Sequence, residues 1–217
     1  MPPISLVCFD WGGVIIRICR SWAEGCAAAG LDVRGDCSSP ESIARRRVLS
    51  RAYETGRIGE AEFFDGMSET MGRLYTPDEV RAIHAAWLVG EYDGVGEIVD
   101  RLNQQAHLET ALLSNTNASH WARQAADPAG KLRHFPVAGR LRHRYASHLM
   151  GFAKPDKAIY VAFAESVKRR PEEILFFDDL ADNIETARAC GWNAEQIDYT
   201  GDTAAQVRGH LAKWGVG

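Results

Sequence analysis

A chain of 217 residues, 46% apolar and 25% charged, is long enough for one well-buried core with an inserted subdomain and too short for two full-sized domains. Its net charge of -4 gives no positive field to draw it to nucleic acid or anionic lipid, and no apolar run reaches the length of a membrane span. The five cysteines, at 8, 19, 26, 37 and 190, form no C-x-x-C pair and no zinc spacing, which fits reduced thiols in a cytoplasmic protein.

Met1 leads directly into the apolar stretch 4–9 with no basic segment before it, so secretion is not expected. That stretch, ending in Asp10 and followed by Trp11-Gly12-Gly13, predicts a buried parallel strand and a tight turn. From about 18 to 89 the pattern turns helical. Ser39-Pro40 reads as an N-cap with Pro at the first helical position, and Thr76 to Glu79 has capping-box spacing. Behind that box, Val80, Ile83, His84, Trp87 and Leu88 recur on one helix face. Four helices with no strand among them are expected there.

The alternation then changes. A helix at 95–102 precedes a buried strand at 108–113 that ends in Ser114, and a helix is expected at 117–126. A basic, irregular stretch follows from Lys131 to about 148, with Arg140, Arg142, His143 and Arg144. It holds few aromatics in an acidic chain, so it reads as a solvated surface rather than a nucleic-acid patch. Pro155 opens a helix with Ile159, Ala162, Phe163 and Val167 on its face. "EILFFDD" is a third apolar strand, followed by a helix at 182–190, a short strand at 194–197 and a closing helix carrying Val207, Leu211 and Trp214. Strands separated by helices predict right-handed crossovers, hence an α/β fold with a doubly wound parallel sheet covered on both faces. Its core is expected at 1–15 and 91–217, interrupted by a helical insert at 16–90.

In such a fold, ligands lie outside the carboxyl ends of the strands. Those ends carry Asp10, Ser114 and the pair Asp178-Asp179. One Asp after a strand is ordinary turn chemistry. Carboxylates on two strand ends brought together repel, and each resists ionising. A divalent cation with hard oxygen ligands removes the conflict. Magnesium fits, and no His or Cys cluster favours zinc. Lys154, just before Pro155, supplies a further positive charge.

Four strings carry a resemblance: "VCFDWGGVI" around Asp10, "ALLSNTN" with Ser114, "GFAKPDKAIY" with Lys154, and "ILFFDDLADNIETARACGW" with Asp178 and Asp179. In this order and spacing the chain resembles the haloacid dehalogenase superfamily over nearly its whole length. The last three look most like the subgroup of bacterial α-glucose-1-phosphatase and the phosphatase domain of soluble epoxide hydrolases. The insert, with "YETGRIGEAEFFDGM", matches the family's helical cap.

The resemblance implies a magnesium-dependent hydrolase of small phosphate esters in which Asp10 attacks phosphorus and forms an aspartyl-phosphate. Asp10, the backbone carbonyl of Gly12 and Asp179 would hold Mg2+, with Asp178 behind them orienting Lys154 or a metal-bound water. Ser114 and Lys154 would hold the phosphoryl oxygens, with hydrogen bonds added by Asn115 and by backbone N–H groups after Gly12. Asn183 would help position the site, and Trp11 would shape the pocket between core and cap.

Gly12 is the departure. Most phosphatases of the family carry there an aspartate that protonates the leaving oxygen, an effect typically on the order of 100- to 10,000-fold. The glucose-1-phosphatase subgroup shares its absence. Glu54 and Glu60 of the cap, bound water and the substrate itself are the candidate substitutes. His84 reads as packed rather than catalytic, and Phe63, Phe64 and Met67 as core of the cap or its inner lining. Two other functions use the same fold: a metal-independent 2-haloacid dehalogenase, against which the Asp178-Asp179 pair speaks, and a catalytically weak binding protein, which Gly12 alone favours. The substrate and the oligomeric state are not legible in one sequence.

Overall fold

The computed structural model describes residues 3–130 and 132–216, so Lys131, at the start of the basic stretch, lies outside the described residues, as do Met1, Pro2 and Gly217. The chain opens with β1 (Leu6–Phe9), a short strand β2 (Ile16–Ile18), and helices α1 (Trp22–Ala28), α2 (Pro40–Glu54), α3 (Glu60–Thr70) and α4 (Pro77–Ala86). It continues through β3 (Leu88–Glu91), α5 (Val95–Asn103), β4 (Glu109–Ser114) and α6 (Ala118–Trp121). There follow β5 (His143–Ala146), α7 (Ser147–Met150), α8 (Lys157–Val167) and β6 (Ile174–Asp178). The chain closes with α9 (Ala181–Ala189), β7 (Asn193–Gln196) and α10 (Thr203–Lys213).

Among the described residues, five strands pair in the order β5-β4-β1-β6-β7, every pair parallel. The doubly wound α/β sheet expected from the sequence is present. Strand β1 is central and buried at every position, and its side chains alternate between two cores as strand geometry requires. Val7 and Phe9 pack with Leu112, Leu175 and Phe177 under α5 and α10. Leu6 and Cys8 pack with Leu113 and Phe176 under α8 and α9. The chain moves from β1 out to β4 and β5, then returns to the other side of β1 for β6 and β7. That reversal opens the crevice at the end of β1.

The four helices α1 to α4 share their own apolar cluster, which includes Trp22, Tyr53, Phe63, Phe64, Met67, Tyr75 and Ile83. Both helix starts read from sequence hold: the Ser39 side chain accepts from Ser42, and Thr76 and Glu79 close a full capping box. The strand-free reading of 18–89 fails at its edges. Ile16–Ile18 and Leu88–Glu91 pair antiparallel as two strands joining the insert to the sheet, so Leu88 belongs to a strand and α4 stops at Ala86. Strands this short carry no readable periodicity.

Three further expectations are corrected. The basic stretch contains β5, an edge strand whose ladder is satisfied on one side only and which therefore needs no apolar run. Residues 117–126 give the four-residue α6 and a single 3-10 turn instead of a full helix. Pro155 precedes α8 instead of opening it, because Asp156 takes the cap position and accepts from the Ala158 N–H. No helix among the described residues is long and apolar enough to cross a membrane.

Phe176 is fully buried and meets both Tyr160 and Trp192 edge-on. Phe176→Ala should cost about 3–5 kcal/mol, read as a fall in the urea unfolding midpoint.

Candidate active site

The register of the sheet brings the three acidic or polar strand ends together. Phe9 aligns with Leu112 on β4 and with Phe177 on β6, and the Asp10 N–H donates to the Phe177 carbonyl at 2.8 Å. Asp10, Asp178 and Asp179 are all buried, with carboxylate oxygens within 4.8 Å of one another. The turn after Asp10 closes through Gly13 N–H to the Ile16 carbonyl and Ile16 N–H to the Trp11 carbonyl, which leaves the Gly12 carbonyl out of the pairing. Gly13 is held at φ +83°, and a Cβ there would stand 2.5 Å from both the Arg20 guanidinium and the Asp179 carboxyl carbon. Glycine is required on both counts.

Lys154 sits inside this cluster. Its fully buried ammonium lies 2.6 Å from Asp178 Oδ2 and 2.9 Å from Asp10 Oδ1, and it donates to the Leu113 carbonyl at 2.9 Å. Burial disfavours the charged form, but the two carboxylates outweigh it and hold the lysine pKa above its ordinary value. Asp178 is further gripped by the Asn183 amide at 2.9 and 3.0 Å and by the Leu180 N–H at 2.9 Å. Asn115 clasps the lysine's backbone, its amide donating to the Lys154 carbonyl and accepting from the Lys154 N–H, both at 2.8 Å. The Asn115 side chain, a sequence candidate for substrate contact, is thus occupied in placing Lys154. Ser114 is buried, lines the cavity above, and its hydroxyl makes no hydrogen bond among the described residues.

Sequence reasoning missed two arginines. Arg20 pairs with Asp179 at 2.7 Å, across 159 residues of chain, and lies 3.7 Å over the Tyr199 ring. Arg51 of α2 donates to the Lys154 carbonyl at 2.8 Å and to the Ala153 carbonyl at 2.7 Å. Neither has a local signal, since each stands in an ordinary polar pattern and meets its partner only in the fold.

Three carboxylates therefore face two cations. Burial pushes the Asp10 carboxyl up to about 7, with Asp178 and Asp179 adding to the rise and Lys154 opposing it. Burial likewise raises Asp179, against the pull of Arg20. Asp10 Oδ1 is buried without a hydrogen bond, the ammonium approaching it out of alignment. An orphaned carboxylate oxygen amid hard oxygen donors and surplus negative charge fits a divalent cation such as magnesium.

A cavity of about 450 Å³ begins at the residues that follow Asp10 and end β4. Trp11, Gly12, Ser114 and Asn115 line it from the sheet side, while Trp22, Arg46, Tyr53, Glu54, Phe63 and Met67 line it from the helical insert. Phe64 is buried in the insert's own cluster. Glu60 is turned away, donor-bonded by Ser119 at 2.8 Å and paired with Arg81 at 3.5 Å.

This constellation matches one family along most of the chain: residues 4–191 correspond to the haloacid dehalogenase-like hydrolases. The chain belongs to that family. Among curated proteins, a phosphatase of Mycobacterium tuberculosis is 40% identical over 70 residues, a match spanning 32% of this hydrolase and 32% of that relative's length. A haloacid dehalogenase family enzyme from Bacteroides thetaiotaomicron superposes with a TM-score of 0.76 at 26% identity, over 95% of this chain and 100% of the other. An aspartate-to-alanine variant of that enzyme, in complex with magnesium and inorganic phosphate, gives 0.72 at 26% identity over 94% and 98%. A HAD-like family hydrolase from Porphyromonas gingivalis gives 0.75 at 25% identity, over 97% and 98%.

Where α4 meets the sheet domain of the hydrolase, His84 stacks on His120 with ring centroids 3.8 Å apart. His120 Nε2 donates to the His84 carbonyl at 2.8 Å, and the Asn117 amide donates to His84 Nε2 at 3.2 Å. Burial pulls His84 well below its ordinary value and His120 down to about 4, so both are neutral near pH 7. His84 is packed, as its sequence pattern suggested, and also faces the cavity. A depressed histidine stabilises fully above its unfolded pKa of 6.5 and loses that contribution as pH falls toward 4. Asp10 and Glu54, both raised to about 7, act in the opposite sense over the same window. The readout is therefore a difference. His120→Gln should lose less stability than the wild type between pH 6.5 and 4, by up to about 3 kcal/mol, in urea titrations at each pH.

Proposed function

We propose that this hydrolase is a magnesium-dependent phosphatase of small phosphate esters, working through an aspartyl-phosphate at Asp10. The observation that carries this reading is the cluster of three buried carboxylates around the Lys154 ammonium, whose chain neighbours Trp11, Gly12, Ser114 and Asn115 line a cavity of about 450 Å³. The magnesium and phosphate complex of the Bacteroides enzyme supports it, as does the curated phosphatase relative. Within the family we place it with the α-glucose-1-phosphatase subgroup, on its motif strings and the absence of an acid at position 12. Residues 16–90 act as the cap that chooses the leaving group.

Asp10, the Gly12 carbonyl and Asp179 would hold Mg2+, with Asp178 behind them. When bound, the ion supplies positive charge between an anionic nucleophile and an anionic phosphate. The chain's own residues do the rest. An Asp10 carboxylate oxygen attacks phosphorus, and water later hydrolyses the resulting acyl phosphate. Lys154 and the free Ser114 hydroxyl hold phosphoryl oxygens as charge redistributes. Asp178 and Asn183 keep the ammonium in place, and Asn115 and Arg51 keep its backbone in place. Trp11 forms part of the wall against the leaving group.

The purified chain should release phosphate from at least one member of a panel of sugar, nucleotide, carboxylate and p-nitrophenyl phosphates with Mg2+, and none in EDTA. Asp10→Asn should lower turnover by at least about 10⁴-fold with an unchanged circular dichroism spectrum. Halide release that survives EDTA would instead make it a dehalogenase, and no phosphate from any substrate would make it a binding protein. Arg20 competes for the Asp179 carboxylate, so Arg20→Gln should tighten Mg2+ binding on the order of tenfold, read by titration calorimetry.

A further inference from the structure

The proposed phosphatase lacks a proton donor on its sheet side. Position 12 has no side chain, and the place where one would begin is bounded by hydrocarbon: a Cβ there would lie 3.0 Å from Ile18 Cδ1. Across the cavity, Glu54 ends α2. Among the described residues lining the cavity it is the one carboxylic acid, and it makes no ion pair or hydrogen bond. The other proton carriers on those walls are engaged. Tyr53 shares its hydroxyl with Ser119, the Cys37 thiol donates to the Arg34 carbonyl, and His84 and His120 hold each other through the contacts described above.

The last turn of α2 is itself fixed to the sheet domain. Arg51 ties it to the carbonyls of Ala153 and Lys154, Tyr53 ties it to Ser119 just past Ser114, and the backbone after it touches the core directly. A Cβ on Gly56 would stand 2.6 Å from the His148 carbonyl oxygen. Glu54 lies between these anchors, sharing the cavity with Gly12 and Ser114.

We propose that Glu54 is the general acid and base of this site, acting from the cap in place of the side chain that position 12 lacks. The proposal rests on the phosphatase reading above. In the first step an Asp10 oxygen bonds to phosphorus as the bond from phosphorus to the leaving oxygen breaks. The electron pair goes to that oxygen, which takes the Glu54 proton and departs as an alcohol. In the second, the Glu54 carboxylate takes a proton from water as the water oxygen bonds to phosphorus. The bond between phosphorus and Asp10 breaks, its pair returns to the carboxylate, and phosphate leaves with Glu54 protonated again. Burial pushes Glu54 up to about 7, opposed by Arg51 on its own helix. The other charged and titratable side chains lining the cavity are Arg46 and Arg47 on α2, Arg20 held by Asp179, Cys37, Tyr53, and the neutral His84 and His120. A raised carboxyl carries its proton below about pH 7 and gives it up above, which suits an acid–base group working near neutrality.

The test compares wild-type and Glu54→Gln full-length protein with Mg2+, on an alkyl phosphate and on p-nitrophenyl phosphate. With the alkyl ester, kcat should fall about 10²- to 10⁴-fold and the wild type's alkaline decline above pH 7 should vanish. With p-nitrophenyl phosphate, whose leaving group needs no proton, the variant should show a burst of one p-nitrophenol per enzyme followed by slow turnover. Gly12→Asp placed in the Glu54→Gln background should recover alkyl-ester turnover, since Ile18 meets the new side chain with the end of a flexible chain. Alkyl-ester turnover within threefold of wild type, or loss of the burst together with turnover, overturns the assignment. A wild type that releases phosphate from neither ester overturns the phosphatase reading itself, and this one with it.

Discussion

The ammonium of Lys154, buried between Asp10 and Asp178, is the interaction on which the site depends. A parallel sheet forces its strand ends to one side, so three carboxylates from two neighbouring strands converge whether or not their charges tolerate it. One buried lysine at 2.6 and 2.9 Å from two of them offsets much of that repulsion. Removing a partner from such a buried pair is costly, typically several kcal/mol, because the remaining charge is left without water or counter-ion. Much of the surrounding structure keeps that ammonium where it is: the Asn115 clasp on its backbone, the Leu113 carbonyl below it, and Arg51 reaching down from the insert.

The remaining imbalance explains the rest of the site. Arg20 partly neutralises Asp179, yet Asp10 keeps an oxygen without a hydrogen bond and its carboxyl is pushed toward the neutral form. A nucleophile must be charged to attack phosphorus. A divalent cation beside it would lower that pKa by the same electrostatics that now raise it. The charge pattern, the hard donors and the proposed chemistry thus point to one requirement.

The strand ends were legible because buried parallel strands are short apolar runs, and the residue that ends such a run is conspicuous when it is acidic. Asp10, Asp178 and Asp179 stand out for that reason, and Lys154 as the positive charge that such an acidic cluster calls for, in a string that carries the family resemblance. What escaped has the opposite character. Strand β5 is an edge strand reading His-Arg-Tyr-Ala, with His143 and Arg144 facing partners and solvent instead of a core. The β2–β3 pair is three and four residues long, below what any period can mark. Arg20 and Arg51 act through contacts spanning 159, 103 and 102 residues, and no local pattern encodes distances of that order. The likeness of Glu54 and Glu60 as candidate acids was likewise a limit of sequence: each is a glutamate in the same insert, and only the fold turns one into the cavity and binds the other to Ser119 and Arg81.

A proton donor on the insert, as proposed for Glu54, would link closure to chemistry. An acid at position 12 would travel with the nucleophile and be present whether the cap were open or shut. Glu54, acting as proposed, would depend on the docking of the last turn of α2 through Arg51 on the Lys154 loop and Tyr53 on Ser119. The insert is joined in sequence to the sheet domain through β2 and β3, and Arg20 on Asp179 and His84 against Asn117 and His120 hold it alongside the contacts at the end of α2. In the proposed mechanism the docking that brings the carboxyl to the leaving oxygen would also set Trp22, Phe63 and Met67 against the substrate and limit the access of bulk water. Proton transfer and water exclusion would then depend on one set of contacts, so an ester could be cleaved only after the cap had accepted its leaving group.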